Sequence, residues 1–312
     1  MLDIATYRHR LENGSMLTAY SIDPDMNGEE LEKIVSGHRL SVKGKSPIDL
    51  NQAANRVRFV REVGRFEDLQ IQASFDKYEV PEQLKPYRDR VVLGFSDSVL
   101  IPINGDLDIP IKAVKGEYRD FRSTQMSRIP SEEVPDTYED GKTIEELLPE
   151  WGLSYRDLGR CFGVAHVLRV SGGDAISMVY SGDVDVYANS IGLSGSTPGF
   201  PEKFNQEEFS YDEFFKEHLD GEMREEFNLS PNNYRVNGVK LFDAIEDKPI
   251  FCVDMVTDLS IEELVRGAYG MPDPLKEHSI ILSTDRKGMA SVMRGFDIPE
   301  IDSVILSFFR EL

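Results

Sequence analysis

Residues 213–229, EFFKEHLDGEMREEFNL, limit how this chain can fold more than any other stretch. At 100° per residue, Phe215, Leu219, Met223 and Phe227 recur every four positions and line up as one apolar stripe. Glu222, Glu225 and Glu226 fall on an adjoining arc of roughly 100°, because spacings of three and four bring helical side chains together. The pattern predicts a helix with its stripe on a core and a carboxylate cluster near its C-terminal end. Carboxylates gathered in this way repel one another and suit a hard cation. Mg²⁺ or Mn²⁺ prefers oxygen ligands and keeps waters and phosphate oxygens in its remaining positions. In an acid-rich chain the same pattern also fits a solvated helix face. Both readings stand at this point.

The chain's 312 residues are enough for a large core and two domains, and 40% hydrophobic with 29% charged residues is the composition of a soluble globular protein. No apolar run approaches the length of a membrane-spanning helix, and the N-terminus has neither an apolar nor an Arg-rich, acid-poor leader. Two cysteines, Cys161 and Cys252, make no disulfide framework, so a reducing, cytoplasmic setting is expected. A net charge of −21 argues against a sequence-independent grip on nucleic acid or an anionic membrane. An anionic substrate would need a metal ion or a local basic cluster. No internal repeat is evident.

In the N-terminal half, residues 27–35 read as a short helix, and residues 47–63 as an amphipathic helix capped by Ser46 with Pro47 at its first position. The Gly44-Lys45-Ser46 triplet lacks the glycine a phosphate loop needs five residues earlier, where Arg39 stands, so that reading is rejected. Residues 90–103 read as two strands around a Ser-Asp-Ser turn, and 109–114 as a third. His9 and His38 are read as surface residues. Residues 122–141 are polar and turn-rich, with Pro130 and Pro135, and read as a linker. A short helix over 143–148 and a helical turn within SYRDLGRCF lead into the second half.

Residues 163–170 (GVAHVLRV) and 175–180 (AISMVY) predict a hairpin around Ser171 to Asp174. An irregular glycine-rich stretch follows over 192–199, then the carboxylate helix. Residues 234–242 and 249–256 predict a second strand pair, Ser260 caps another helix, 275–282 adds a strand and 301–312 a terminal helix.

The segment Gly221-Glu222-Met223-Arg224-Glu225-Glu226-Phe227-Asn228-Leu229 resembles the end of the Nudix box, Gly-x5-Glu-x7-Arg-Glu-U-x-Glu-Glu-x-Gly-U, with U a bulky aliphatic. Glu222, Glu225 and Glu226 match the metal-binding glutamates, Met223 and Leu229 the two U positions, and Glu213 the earlier glutamate. Gly221 stands where the family has an arginine that pairs with and orients the glutamates. Glu207 replaces the first glycine and Asn228 the last, and Asn also tolerates the left-handed helix-ending conformation. Strand hairpin, glycine-rich loop, glutamate helix, strand hairpin and closing helix are also in the Nudix order, over about residues 160–312. The resemblance implies an α+β / α/β chain: a C-terminal Nudix-like α/β/α sandwich with a mixed sheet over 156–312. Before it come a linker over 126–155 and a smaller α+β domain over 1–125, for which dimerisation into a homodimer, substrate capping and simple stability are all open roles.

The function implied is metal-dependent hydrolysis of a diphosphate bond in a nucleoside diphosphate linked to another group. Glu222, Glu225 and Glu226 would hold Mg²⁺ or Mn²⁺, with Glu213 and His218 in support. The partner is then a small nucleotide derivative, with no nucleic acid and no membrane. The departures at positions 207 and 221 leave open a Nudix-fold binding or regulatory module without turnover, and an unrelated interaction protein is the third reading. His218, one turn before Glu222, could hydrogen-bond it or tune its ionisation, although a helix-face histidine is the plainer reading. His166 reads as a satisfied histidine in an apolar strand and Cys252 as a core residue. Neither cysteine matches the catalytic cysteine of the Nudix-fold prenyl diphosphate isomerases. Tyr180 and Tyr187 could stack on a base, and Glu246, Glu262 and Glu277 are candidates for a catalytic base by position alone.

Overall fold

Two continuous apolar runs, GVAHVLRV and PIFCVDMVT, lie side by side at the middle of the molecule as a parallel strand pair. Runs of this kind are buried on both faces, which is why they do not alternate with polar residues. The computed structural model describes residues 3–23, 57–65, 70–88, 98–103, 110–124, 141–142, 144–180, 191–199, 211–244, 248–272 and 278–295, and the single positions 29, 32, 68, 107 and 305.

In chain order the first half contributes β1 (Ala5–Arg10), β2 (Met16–Ser21), β3 (Val57–Glu62), β4 (Ile71–Lys77), α1 (Lys85–Arg88), β5 (Ser98–Pro102), β6 (Ile111–Glu117), α2 (Tyr118–Thr124) and α3 (Ile144–Glu150). A 3₁₀ turn at Tyr155–Asp157 leads to β7 (Gly163–Val170), β8 (Ala175–Tyr180), β9 (Ile191–Gly192) and β10 (Ser194–Ser196). Then come α4 (Tyr211–Phe227), β11 (Tyr234–Ala244), β12 (Pro249–Thr257), α5 (Ile261–Tyr269), β13 (His278–Thr284) and α6 (Arg286–Gly295).

The architecture is mixed α+β. One large mixed sheet runs β1-β2-β13-β8-β7-β12-β11-β3, with β9 on β8 and β10 on β7. Among the described residues only β7 and β12 pair in parallel within it. The sheet therefore takes β1, β2 and β3 from before residue 125 together with the strands that follow residue 156. Side chains alternate between its faces. On one face Val164, Leu168, Phe251, Val253 and Met255 meet Phe215, Leu219, Met223 and Phe227 of α4 and Leu264 and Val265 of α5. On the other, Val167, Cys252 and Leu282 meet Met289 and Val292 of α6 together with Ile305. Each large apolar side chain of the α4 stripe contributes roughly 1.5–3 kcal/mol by its burial.

A second sheet, β4-β6-β5, is attached to the first core. Leu100, Ile111 and Ala113 join that core, while Val99, Ile101 and Val114 turn to Phe121 of α2 and to Cys161. An ion cluster, buried at Arg160 and Asp243 and half-exposed at Arg58, ties the segment before β7 to the far edge of the large sheet. Arg160 donates to one oxygen of Asp243, and Arg58 reaches the other at 3.2 Å. Arg160 and Asp243 are both buried, so neither charge is left without its counter-ion.

The expected helix over 47–63 is corrected at its C-terminal end, since residues 57–62 form β3. Their pairing with β11 sets Arg58 opposite Asp243, and a cross-strand partner outweighs the helical spacing of Val57 and Val60. The stretch 192–199, expected to be irregular, contains β10 and the end of β9. The helix α6 was not anticipated. Residues 47–56 lie outside the described residues, as do most of 27–35 and 301–312. The hairpins 163–180 and 234–257 form as expected, and Ser260 closes a capping box with Glu263 at the start of α5.

Candidate functional site

The β7–β8 hairpin pairs only beside its turn, at Arg169 and Ala175. Farther from the turn the strands part and the chain returns between them, β9 on β8 and β10 on β7. This insertion sets Ser194 opposite His166 and Ser196 opposite Val164, on the face of β7 that packs under α4. It needs a glycine between the serines. A Cβ on Gly195 would stand 2.8 Å from the carbonyl oxygen of Val164.

Above these serines lies the end of α4. Phe215, Leu219, Met223 and Phe227 are all buried, as the stripe predicts. The helix stops at Asn228, which takes a left-handed φ of 54°, while the Leu229 N–H donates back to the Met223 carbonyl. Asparagine is the residue besides glycine that best tolerates this conformation. At Gly221 a Cβ would meet nothing within 4 Å among the described residues, and none of these gives the position a packing reason to be glycine.

A buried hydrogen-bond chain joins sheet to helix. The Ser194 hydroxyl donates to Oε2 of Glu226, and His166 Nδ1 lies 2.8 Å from the same hydroxyl oxygen. A serine has one proton to give. With that proton on the carboxylate, Nδ1–H of His166 donates to Ser194, and Nε2 carries the lone pair. Nε2 is buried with no hydrogen-bond partner among the described residues. A parallel contact lies two turns earlier on α4, where His218 Nε2 is 2.7 Å from Ser196 Oγ and 3.9 Å from Glu222 Oε1. Burial pushes His166 down to about 4, opposed by the Glu226 charge. Burial also pushes His218 down to about 4, helped by His166 and opposed by Glu226. Both rings are neutral at pH 7.

The grouping of serine, histidine and glutamate is not that of an activated nucleophile. Ser194 is only 4% exposed, and its proton is directed to the carboxylate rather than to the imidazole.

The structure distributes the box glutamates differently from one another. Glu226 is turned toward β10, Glu222 is half-buried beside His218, and Glu225 is exposed. Glu213 is exposed earlier on the same helix. Among the described residues no three His, Cys, Asp or Glu side chains are grouped closely enough to hold a metal ion. The donors are nevertheless of the right kind for Mg²⁺, which commonly takes one or two carboxylates and completes its shell with water and phosphate oxygens.

His166, expected to be satisfied, is hydrogen-bonded at one nitrogen only among the described residues. His218 finds Ser196 as its nearest partner. Ser194 and Ser196 were missed by sequence reasoning. The signal available was indirect, a histidine on the inward parity of an apolar strand, which requires a polar partner but does not name it. Cys161 and Cys252 are buried in core clusters, and Glu262 is an exposed residue of the first turn of α5. Glu207, Tyr187, Glu246, Glu277 and the side chain of Tyr180 lie outside the described residues. No helix among the described residues is long and apolar enough to cross a membrane.

No family model and no curated protein matches the chain. Among solved structures it is similar to DR0079 from Deinococcus radiodurans, with a TM-score of 0.33 and 16% identity over 47% of this chain and 81% of that one. It is also similar to the MutT protein from Methanosarcina mazei Go1, with a TM-score of 0.30 and 15% identity over 48% of this chain and 92% of that one. Scores of this size are too low to establish a shared fold.

Proposed function

We propose that this protein is a metal-dependent hydrolase of a diphosphate bond in a nucleoside diphosphate linked to another group. The observation that supports this reading most is the rigid mounting of the glutamates. Helix α4 is pinned by four buried apolar side chains and closed at Asn228 in the left-handed conformation, with Glu222, Glu225 and Glu226 at the spacing of a Nudix box. Glu222, Glu225 and Glu226 would hold Mg²⁺ or Mn²⁺, with Glu226 approaching from the sheet side. A bound ion of this kind polarises phosphoryl oxygens and lowers the pKa of a coordinated water. Within the chain, the exposed Glu225 is the box carboxylate best placed to accept a proton from an attacking water. The neutral His218 and Ser196 border the Glu222 side of the site without adding charge.

A second reading, a module that binds such a ligand without cleaving it, is favoured by one observation. Position 221 carries no side chain to orient the glutamates. Product release distinguishes the two. With Mg²⁺ or Mn²⁺ and a panel of nucleotide sugars, dinucleotides and nucleoside triphosphates, the hydrolase releases a phosphorylated product. Glu225→Gln should reduce that release by about 10²-fold or more. Gly221→Arg, whose Cβ would meet none of the described residues within 4 Å, should raise it. Ligand binding with no release from any member of the panel favours the module.

A further inference from the structure

We infer that Ser194 and His166 are positioning residues for Glu226, a hydrogen-bond chain from β7 through β10 that does the orienting for which this chain has no arginine at position 221. The inference rests on the reading of Glu226 as part of a metal-binding site.

Three observations carry it. First, the chain has a direction. Ser194 donates its one hydroxyl proton to Oε2 of Glu226, so His166 Nδ1, 2.8 Å from the same hydroxyl oxygen, must be the donor there. The last acceptor is the carboxylate, whose rotation is set from below. Second, the chain is maintained by a backbone approach that tolerates only glycine at position 195, directly between the two serines. Third, His166 is costly where it stands. It occupies the same face of β7 as Val164 and Leu168, is 1% exposed, and finds no hydrogen-bond partner for Nε2 among the described residues. An uncompensated buried polar atom is destabilising, and a branched aliphatic residue would fill this strand position without that cost. What the imidazole adds over an aliphatic residue is the Nδ1–H donor. Partners behind a metal ligand that fix its orientation typically change metal affinity 10–100-fold when removed.

The test is a Mn²⁺ titration, followed by the paramagnetic resonance of the free ion, on the full chain and six variants. Ser194→Ala and His166→Leu remove a link. Ser194→Thr keeps the hydroxyl, and His166→Asn keeps a donor near the Nδ1 position. Glu222→Gln and Glu225→Gln test the metal site itself. The inference predicts affinity about 10–100-fold weaker in Ser194→Ala and His166→Leu, with Ser194→Thr and His166→Asn close to wild type. Wild-type affinity in both link-breaking variants would overturn it. If the wild type binds no Mn²⁺, or if neither glutamine variant weakens binding, the metal reading itself has failed. That pattern is distinct from loss of the link alone. Should a link-breaking variant fail to fold, ¹⁵N chemical shifts of His166 in the metal-free wild type decide the matter. A ring protonated at Nδ1 and bare at Nε2 supports the chain, and the opposite tautomer overturns it.

Discussion

At His166 and His218 the burial that builds the site also sets a pH response. Both rings fall from an ordinary 6.5 to about 4 in the folded protein. Between those values the unfolded chain binds protons that the native state refuses, so stability rises with pH across that window and is lost as pH falls through it. Each ring accounts for up to roughly 3 kcal/mol by pH 4, the two being coupled. Thermal unfolding between pH 7 and pH 4 should therefore show a falling Tm, and His166→Asn should flatten the slope. An unchanged slope in that variant would mean that His166 does not resist protonation in the fold. At this scale the sequence was informative about residues whose role is local. Asn228 was readable as a helix-ending residue because its tolerance of positive φ is its own property. Ser194 was not readable, because its role exists only opposite His166, 28 positions away.

Among the elements, α4 and β10 show two ways in which a sequence carries structure. The α4 stripe is written at a period of four over a whole helix, and the helix forms where the pattern predicts. β10 is three residues long, too short for any alternation to be significant, and it exists because the β7–β8 hairpin opens to receive it. The same reasoning explains β3, where pairing with β11 and the Arg58–Asp243 contact prevail over a helical spacing. β10 carries a sharp prediction. Gly195→Ala would force its Cβ against the Val164 carbonyl at 2.8 Å, lifting β10 from β7 and moving both serines. The variant should lose about 1–3 kcal/mol of stability, as overpacking at a rigid contact does, and its Mn²⁺ affinity should fall with Ser194→Ala. Gly221→Ala, whose Cβ would meet none of the described residues within 4 Å, is the matched control and should not destabilise the protein.

For the whole molecule, one sheet gathers strands from both halves of the chain beneath α4 and α5, so the carboxylates stand on the largest core the protein has. The chain as a whole is strongly anionic, with a net charge of −21, and a phosphorylated ligand would be repelled from these carboxylates without a cation between them. The two C-terminal hairpins, α4, α5 and β13 were legible from hydrophobic period and turn residues, whereas β10 and α6 were not. The entry of β1, β2 and β3 into the same sheet was not, because long-range pairing leaves no local signature. The central claim is that α4 presents a cation site for such a ligand. The most direct measurement of it is thermal unfolding with Mg²⁺ or Mn²⁺, alone and with the nucleotide panel, for wild type beside Glu225→Gln plus Glu226→Gln. The account predicts a metal-dependent rise in the wild type, corresponding to about 2.7 kcal/mol at one hundred times the dissociation constant, that the double variant lacks. No shift with any metal or ligand, or an equal shift in the double variant, would contradict it.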